Sequence, residues 1–341
     1  MTTIAPPESA EEREDEVADE RPTAPAPRIR PRGIRPPRPP RPPRAVKPIS
    51  RPQVRPAGPA VRDGAWWVGV VWLLLTAFVV GLVLHLTLVS GLQHDRAQAL
   101  AYGELRASLA KAETPVGQVG LDELPVAPGT PVAVLEIPSL GIREVVSEGT
   151  TSEVLRSGPG HRRDTVMPGQ AGTSVIMGRQ ATYGAPFADL SRLAPGDEIV
   201  VTTGQGANRF EVFSVRRDGD TMPAPLQSGG RLELVTANGL ALFPSGALYI
   251  DAALVTDVQE TPGRIFTSMA LPPGEVAMGA DLGGWSFAVL MLLLLVAAVV
   301  AAMWSWRNWG RWQTWIVAAP LILICGMSTA DALAGLLPNL L

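Results

Sequence analysis

The chain has 341 residues, of which 46% are hydrophobic and only 18% are charged, whereas soluble proteins carry about 25% charged residues, so a single soluble domain does not describe the whole chain. The formal net charge is -3, from 29 basic and 32 acidic side chains, and this balance gives no support to nucleic-acid binding. Cys325 is the one cysteine, which excludes an intrachain disulfide and every cysteine-rich metal site.

Residues 1–64 hold 16 of the 33 prolines and no aromatic residue. Because such a segment buries too little apolar surface to offset the entropy of ordering, the sequence predicts a disordered tail. Residues 28–62 form a Pro/Arg repeat, for which polyproline II is the expected geometry. The repeat has two interpretations: it is a ligand for proline-recognising partners or anionic lipid, or it is a solvated basic flank of a membrane span.

Three apolar runs are long enough to cross a bilayer. Residues 65–84 contain no ionisable side chain, and about 20 residues at 1.5 Å per residue suffice for a transmembrane helix. The runs at 282–306 and 312–330 are joined by only five residues, so they predict a helical hairpin that includes Cys325. Two helices beyond the first anchor suggest further helix partners in the membrane, in addition to contact with lipid.

The distribution of charge predicts the topology. Thirteen Lys and Arg residues precede the first span, and Arg307 and Arg311 lie in the hairpin loop, whereas Glu275 precedes the second span and Asp331 follows the third. Cytoplasmic loops carry the excess of basic residues. The sequence therefore predicts a multi-pass plasma-membrane protein with a cytoplasmic N-terminus and an extracellular region between the first and second spans.

The region between the spans begins with a helix and continues as a β domain. Residues 93–113 have amphipathic spacing and predict a helical stalk, which the Pro/Gly-rich segment 115–131 disconnects from the β domain. Short β-branched runs separated by turns then predict an antiparallel barrel or sandwich. These runs are 132–137, 143–149, 173–178, 198–203, 209–215, 232–237 and 247–254.

Three long motifs occur in succession in this β domain: LEIPSLGIREVVSEGT at 135–150, LRSGPGHRRDTVMPGQAGTSV at 155–175 and IMGRQATYGAPFADLSRLAPGDEIVV at 176–201. In this order they resemble the sortase family, particularly the class E type of actinobacteria, over about residues 130–257. The resemblance implies an eight-stranded barrel on the outer membrane face. It also implies an active site of histidine, cysteine and arginine, in which a cysteine thiolate cleaves a sorting signal and transfers the acyl group to an amine.

All three active-site positions depart from the family pattern. Arg179 follows Gly178 where the family has its histidine, and LVTA at 234–237 places Ala237 where the family has its cysteine. Ala247 stands where the family's arginine would open the next strand. The resemblance therefore predicts no catalytic role for Arg179, Ala237 or Ala247.

The absence of a nucleophile decides the predicted function. Thiol-based acyl transfer needs a sulfur that can become a thiolate and leave again, and the β domain contains no cysteine. We therefore expect a sortase-like protein without the transpeptidase triad, acting as a binding or scaffold pseudoenzyme in cell-envelope or surface-protein assembly. The alternative is an active transpeptidase or hydrolase that uses Thr236, Ser245 or His161.

A barrel that keeps its groove without the triad is suited to an extended peptide or an envelope protein, held by backbone pairing. Arg179 has two interpretations, a cation that binds an acidic or carboxylate ligand and a residue that fills the vacant site. One histidine with scattered acids predicts no metal site, and no cofactor is expected. The candidate groove-binding residues are His161, Arg163, Arg179, Thr236 and Asn238.

These expectations divide the chain into nine segments. They are the disordered tail 1–64, the first transmembrane helix 65–92, the stalk and linker 93–129, the sortase-like β-barrel 130–258, a linker 259–281, the second transmembrane helix 282–306, a cytoplasmic loop 307–311, the third transmembrane helix 312–331 and a C-terminal tail 332–341. The predicted fold class is mainly β: an eight-stranded barrel outside the membrane, with three transmembrane helices and a disordered tail.

Overall fold

A computed structural model describes residues 64–224, 229–241, 243–263, 265–280 and 282–341. The predicted disordered tail and its Pro/Arg repeat lie outside the described residues, apart from Gly64. The described parts of the chain are three long apolar helices, the β domain and the segments that join them.

The β domain is a closed eight-stranded barrel, which confirms the predicted fold class. The strands are arranged around the barrel in the order β1-β2-β3-β4-β7-β8-β6-β5, and β5 pairs with β1 to close it. The strands are β1 Pro131–Ile137, β2 Ile142–Glu148, β3 Gly160–His161, β4 Gly172–Met177, β5 Glu198–Thr203, β6 Gly206–Arg217, β7 Gly230–Leu240 and β8 Phe243–Leu254.

The helices lie before, within and after the barrel. They are α1 Gly64–Leu84, a π-helical turn His85–Val89, α2 Ser90–Ala110, α3 Val154–Ser157, α4 Trp285–Asn308 and α5 Arg311–Ala334. Short 3-10 turns occur at Pro138–Leu140, Leu190–Arg192, Ser268–Ala270, Pro273–Glu275 and Leu282–Gly284. Three helices, Val68–Ala110, α4 and α5, are long and apolar enough to cross a membrane.

The two faces of β7 belong to two different apolar clusters. Successive side chains of a strand point to opposite faces. Leu232 and Leu234 pack in the barrel interior, whereas Val235 and Ala237 pack in a cluster on the outer face. This outer cluster also contains Leu155, Val175, Met177, Ala247 and Leu340. Its burial shows that other segments of the chain cover the outside of the barrel here.

The outer face of β7 is charged at the other end of the strand. Arg216 Nη2 lies 2.6 Å from Glu233 Oε2, and Arg216 Nε lies 2.7 Å from Asp251 Oδ2, while Arg231 also pairs with Asp251. Burial raises the pKa of Glu233, although the charge of Arg216 opposes this shift. These paired charges lie on the same face of β7 as the apolar cluster, at the opposite end of the strand.

The helix predicted as a stalk lies against the barrel instead of standing apart from it. Leu105 of α2 is 1% exposed and packs with Val134 and Val145. The Gln98 amide nitrogen donates to the main-chain oxygens of Val145 and Ser157, and its amide oxygen accepts from the Val145 N–H. The helix is thus held by both packing and hydrogen bonds.

Candidate functional site

Arg179, Ala237 and Ala247, the three positions at which the sequence resemblance predicts a departure from the family pattern, come together at one end of β7. Ala237 on β7 and Ala247 on β8 are register partners in an antiparallel pair, and each is 1% exposed. The Gly178 N–H donates to the main-chain oxygen of Val235, which places Arg179 beside the end of the same strand. We call the surface formed by Arg179, Ala237, Ala247 and the outer apolar cluster the groove.

Arg179 is fully buried in the groove. Its guanidinium donates to the main-chain oxygen of Ser152 at 2.9 Å, to the Ser152 hydroxyl at 2.7 Å and to the Thr182 hydroxyl at 3.1 Å. It also donates to the main-chain oxygen of Leu341 at 2.8 Å. Burial lowers the pKa of Arg179 to about 10, so the side chain stays cationic at neutral pH. The guanidinium of Arg179 therefore lies in the groove and binds main-chain and hydroxyl oxygens there.

The segment 338–341 lies in the groove, which the sequence did not predict, since 332–341 has the pattern of a tail. Leu340 is 0% exposed and belongs to the same apolar cluster as Ala237 and Ala247. The Gln180 N–H donates to the Leu340 main-chain oxygen at 2.9 Å. The uncharged run LLPNLL directly after the third span is a signal that could have pointed to burial.

Asn339 fixes the other side of this segment. Its N–H donates to the main-chain oxygen of Gly279 at 2.8 Å. Its side-chain nitrogen lies 2.9 Å from the main-chain oxygen of Thr150, 3.2 Å from that of Gly274 and 3.0 Å from that of Val276. Residues 274–279, part of the segment that the sequence predicts as a linker, thus form one wall of the groove.

Three further candidate residues, Thr236, Asn238 and Arg163, lie outside the apolar floor of the groove. Thr236 is buried on the opposite face of β7 from Ala237, and its hydroxyl has no partner among the described residues. Asn238 lies at the rim, where its side-chain nitrogen is 3.4 Å from the Ser245 hydroxyl. The Arg163 Nε donates to Glu275 at 3.0 Å, and this hydrogen bond raises the pKa of Arg163.

The β domain is similar to known proteins in sequence. The Sortase domain family model matches residues 135–239. Sortase SrtE1 of Streptomyces coelicolor is 34% identical over 115 residues. Residues 135–239 of this chain are therefore a sortase domain. The match with the Streptomyces coelicolor sortase covers 30% of this chain and 33% of that protein, so the chain spans about a third of the length of that relative.

Solved sortase structures are also similar to the chain. Sortase E from Streptomyces avermitilis is 30% identical, with 44% of this chain and 100% of that structure covered and a TM-score of 0.34. The sortase D5 transpeptidase of Clostridium perfringens is 22% identical, with 48% and 98% covered and a TM-score of 0.37. Sortases are transpeptidases of surface proteins and act on peptides.

His161 is the one histidine of the sortase domain, and it lies inside the barrel wall at 0% exposure. Its Nδ1 is 2.9 Å from Glu148 Oε2, and its Nε2 is 2.9 Å from the main-chain oxygen of Val166 and 3.1 Å from the Thr165 hydroxyl. Burial alone would lower the pKa of His161, but the charge and the hydrogen bond of Glu148 raise it overall.

The order Glu148, His161, Thr165 resembles a hydrolase triad, but its proton arrangement is different. A general base needs a free lone pair facing the nucleophile. Both ring nitrogens of His161 face acceptors, Glu148 Oε2 and the Val166 main-chain oxygen, so these two hydrogen bonds require an N–H at each nitrogen and no lone pair faces Thr165. Among the described residues, no group of three or more His, Cys, Asp or Glu side chains could hold a metal ion.

The loop after Arg179 connects the groove to the membrane helices. The Tyr183 N–H donates to the Ser90 hydroxyl of α2 at 3.1 Å, and the Tyr183 hydroxyl donates to Asp331 of α5 at 3.2 Å. Asp331 also accepts from His85 at 2.9 Å. Burial raises the pKa of Tyr183, so its hydroxyl keeps the proton that it donates. The groove therefore stands directly above the ends of two apolar helices.

Proposed function

We propose that this protein is a membrane-anchored pseudoenzyme of the sortase family that binds an extended peptide during surface-protein or cell-envelope assembly. One observation carries the proposal: Arg179, Ala237 and Ala247 meet in the groove where the family resemblance expects histidine, cysteine and arginine. The only cysteine, Cys325, belongs to α5. A thiolate mechanism has no sulfur in this domain.

The groove has what a non-covalent peptide site needs. Its floor is apolar. The Gln180 N–H and the Gly279 oxygen both form hydrogen bonds with main-chain groups of Leu340 and Asn339, so they can pair with an extended main chain. Main-chain hydrogen bonds supply affinity in such sites, and pockets for individual side chains supply specificity. Holding a peptide in this way requires no catalytic group.

The orientation in the plasma membrane is part of the same proposal. Arg307 and Arg311 lie at the connection between α4 and α5, which the positive-inside rule places in the cytoplasm. His85 follows α1, and Asp331 lies near the end of α5 that is far from the basic connection. These two residues contact each other beside the barrel. Both features support a sortase domain on the extracellular side and a cytoplasmic N-terminus.

The experiment exposes the full chain in nanodiscs to a library of sorting-signal-like peptides and measures retained peptides and protein mass by mass spectrometry. The wild-type chain is compared with a Leu340→Asp variant. The charged side chain is expected to leave the apolar cluster that Leu340 occupies. We expect retained peptides of unchanged length and a protein of unchanged mass.

A shortened peptide, or an acyl adduct on Thr236, Ser245 or His161, would show catalysis and contradict the proposal. Failure of both proteins to retain any peptide would contradict the binding function. A scrambled library serves as the control for adsorption to the nanodisc.

A further inference from the structure

The segment 338–341 occupies the groove in the manner of a bound peptide. Asn339 and Leu340 are each 0% exposed, and Leu341 is 3% exposed. The hydrogen-bond partners of their main chain belong to different parts of the molecule: Gly279 precedes α4, whereas Arg179 and Gln180 come after β4. The site is thus assembled by the fold around the segment.

The groove distinguishes the side chains that it holds. The Asn339 side-chain nitrogen faces the main-chain oxygens of Thr150, Gly274 and Val276, so this position selects an amide donor and disfavours a carboxylate. The next position is apolar and takes Leu340.

The replaced active-site positions make room for this occupant. Ala237 and Ala247 end at Cβ, and Leu340 packs against the cluster that they form. A cysteine and an arginine at these two positions would project into the same space. Arg179, at the third position, donates to the Leu341 main-chain oxygen. Each departure from the family pattern therefore either clears space for the segment or binds it.

The segment is tethered close to its site. Helix α5 ends at Ala334, five positions before Asn339, and Asp331 near that end is held by His85 and Tyr183. A short tether gives a ligand an effective concentration in the millimolar range. A free peptide that makes the same contacts has to compete with this concentration.

We propose that residues 338–341 are a built-in ligand of the groove, and that a second peptide of the Asn-Leu-Leu class binds only when this segment leaves. The inference rests on the proposed function, because it names the peptide class that the groove accepts. It also makes the groove self-occluded in the resting protein.

The test uses the full chain in nanodiscs and a fluorescent peptide, AGLLPNLL, with the sequence of residues 334–341. Peptide binding is measured by anisotropy for the wild type, Leu340→Asp and Asn339→Ala, with Leu121→Asp as the matched control because Leu121 is 75% exposed. Hydrogen–deuterium exchange at the Gln180 amide reports independently whether the segment is in place, since this amide donates to Leu340.

We expect both groove variants to bind the probe about tenfold more tightly than the wild type, and to exchange faster at Gln180, while Leu121→Asp matches the wild type. Equal probe affinity in all four proteins, or unchanged exchange at Gln180, would overturn the inference and leave the proposed peptide binding intact. Faster hydrogen exchange at Gln180 without probe binding in any protein would instead contradict the proposed function. It would also contradict the replacement of the built-in segment by a second peptide. Circular dichroism measures whether each variant is folded. If Leu340→Asp does not fold, the comparison of Asn339→Ala with the wild type tests the inference.

Discussion

His161 Nδ1 and Glu148 Oε2 lie 2.9 Å apart inside the barrel wall, where both side chains are buried from bulk solvent. Removing one member of such a buried pair leaves the other uncompensated, which costs about 3–5 kcal/mol. The same pairing raises the pKa of His161 above its unfolded value of about 6.5. Stability and pH are therefore linked through this single side chain.

The substitution His161→Gln tests the linkage. A raised folded pKa gives a stabilisation that is fully present below about pH 6.5 and is lost as the pH rises through the folded value. We expect His161→Gln to lower the free energy of unfolding by about 3–5 kcal/mol at pH 6, and by less at pH 9. Chemical denaturation of both proteins across this range provides the measurement. A difference that stays constant or grows with pH would contradict the assignment of an imidazolium.

Individual residues of the site were predictable only where they belong to local motifs. Arg179 and Ala237 lie in contiguous runs whose family pattern fixes their positions, and the structure brings both to the groove. Leu340 contacts residues about a hundred positions or more earlier in the chain, and no periodicity announces such a contact. Thr236 precedes Ala237 on β7, and neighbouring side chains of a strand point to opposite faces, so the Thr236 side chain lies on the face opposite the groove.

At the scale of elements, α2 is part of the folded domain. Leu105 is 1% exposed against β1 and β2, whereas Leu100 on the same helix is 66% exposed. We expect Leu105→Ala to lower the free energy of unfolding by about 2–4 kcal/mol, because it leaves a cavity at the helix–barrel contact. Leu100→Ala is the matched control and should change it by less than about 0.5 kcal/mol. Thermal denaturation in nanodiscs separates the two, and equal small effects would mean that α2 does not support the barrel.

The elements agree closely with the sequence where the pattern is regular. Seven β-branched runs correspond to seven strands, and the eighth strand, β3, consists of only Gly160 and His161. Two residues within a Gly-Pro-Gly context carry no alternation, so no pattern could reveal this strand. The amphipathic spacing at 93–113 predicted a helix but could not identify the barrel as the surface that covers its apolar side.

For the whole molecule, the orientation proposed from charge is testable by labelling. In a Cys325→Ser background, Leu124→Cys reports on the linker directly before the barrel and Trp309→Cys on the connection between α4 and α5, since both side chains are exposed. We expect a membrane-impermeant maleimide to label Leu124→Cys in intact cells, and Trp309→Cys only after permeabilisation, because the proposed topology places the basic connection in the cytoplasm. The reverse pattern would invert the topology.

Asn339 lies five positions after the last residue of α5, and this spacing limits how far the groove can stand from the apolar spans. A dissolved molecule searches three dimensions for such an opening, whereas one anchored in the same bilayer searches two and is already at the right height. Attachment to lipid would therefore speed the encounter of a partner with the groove without changing any contact within it.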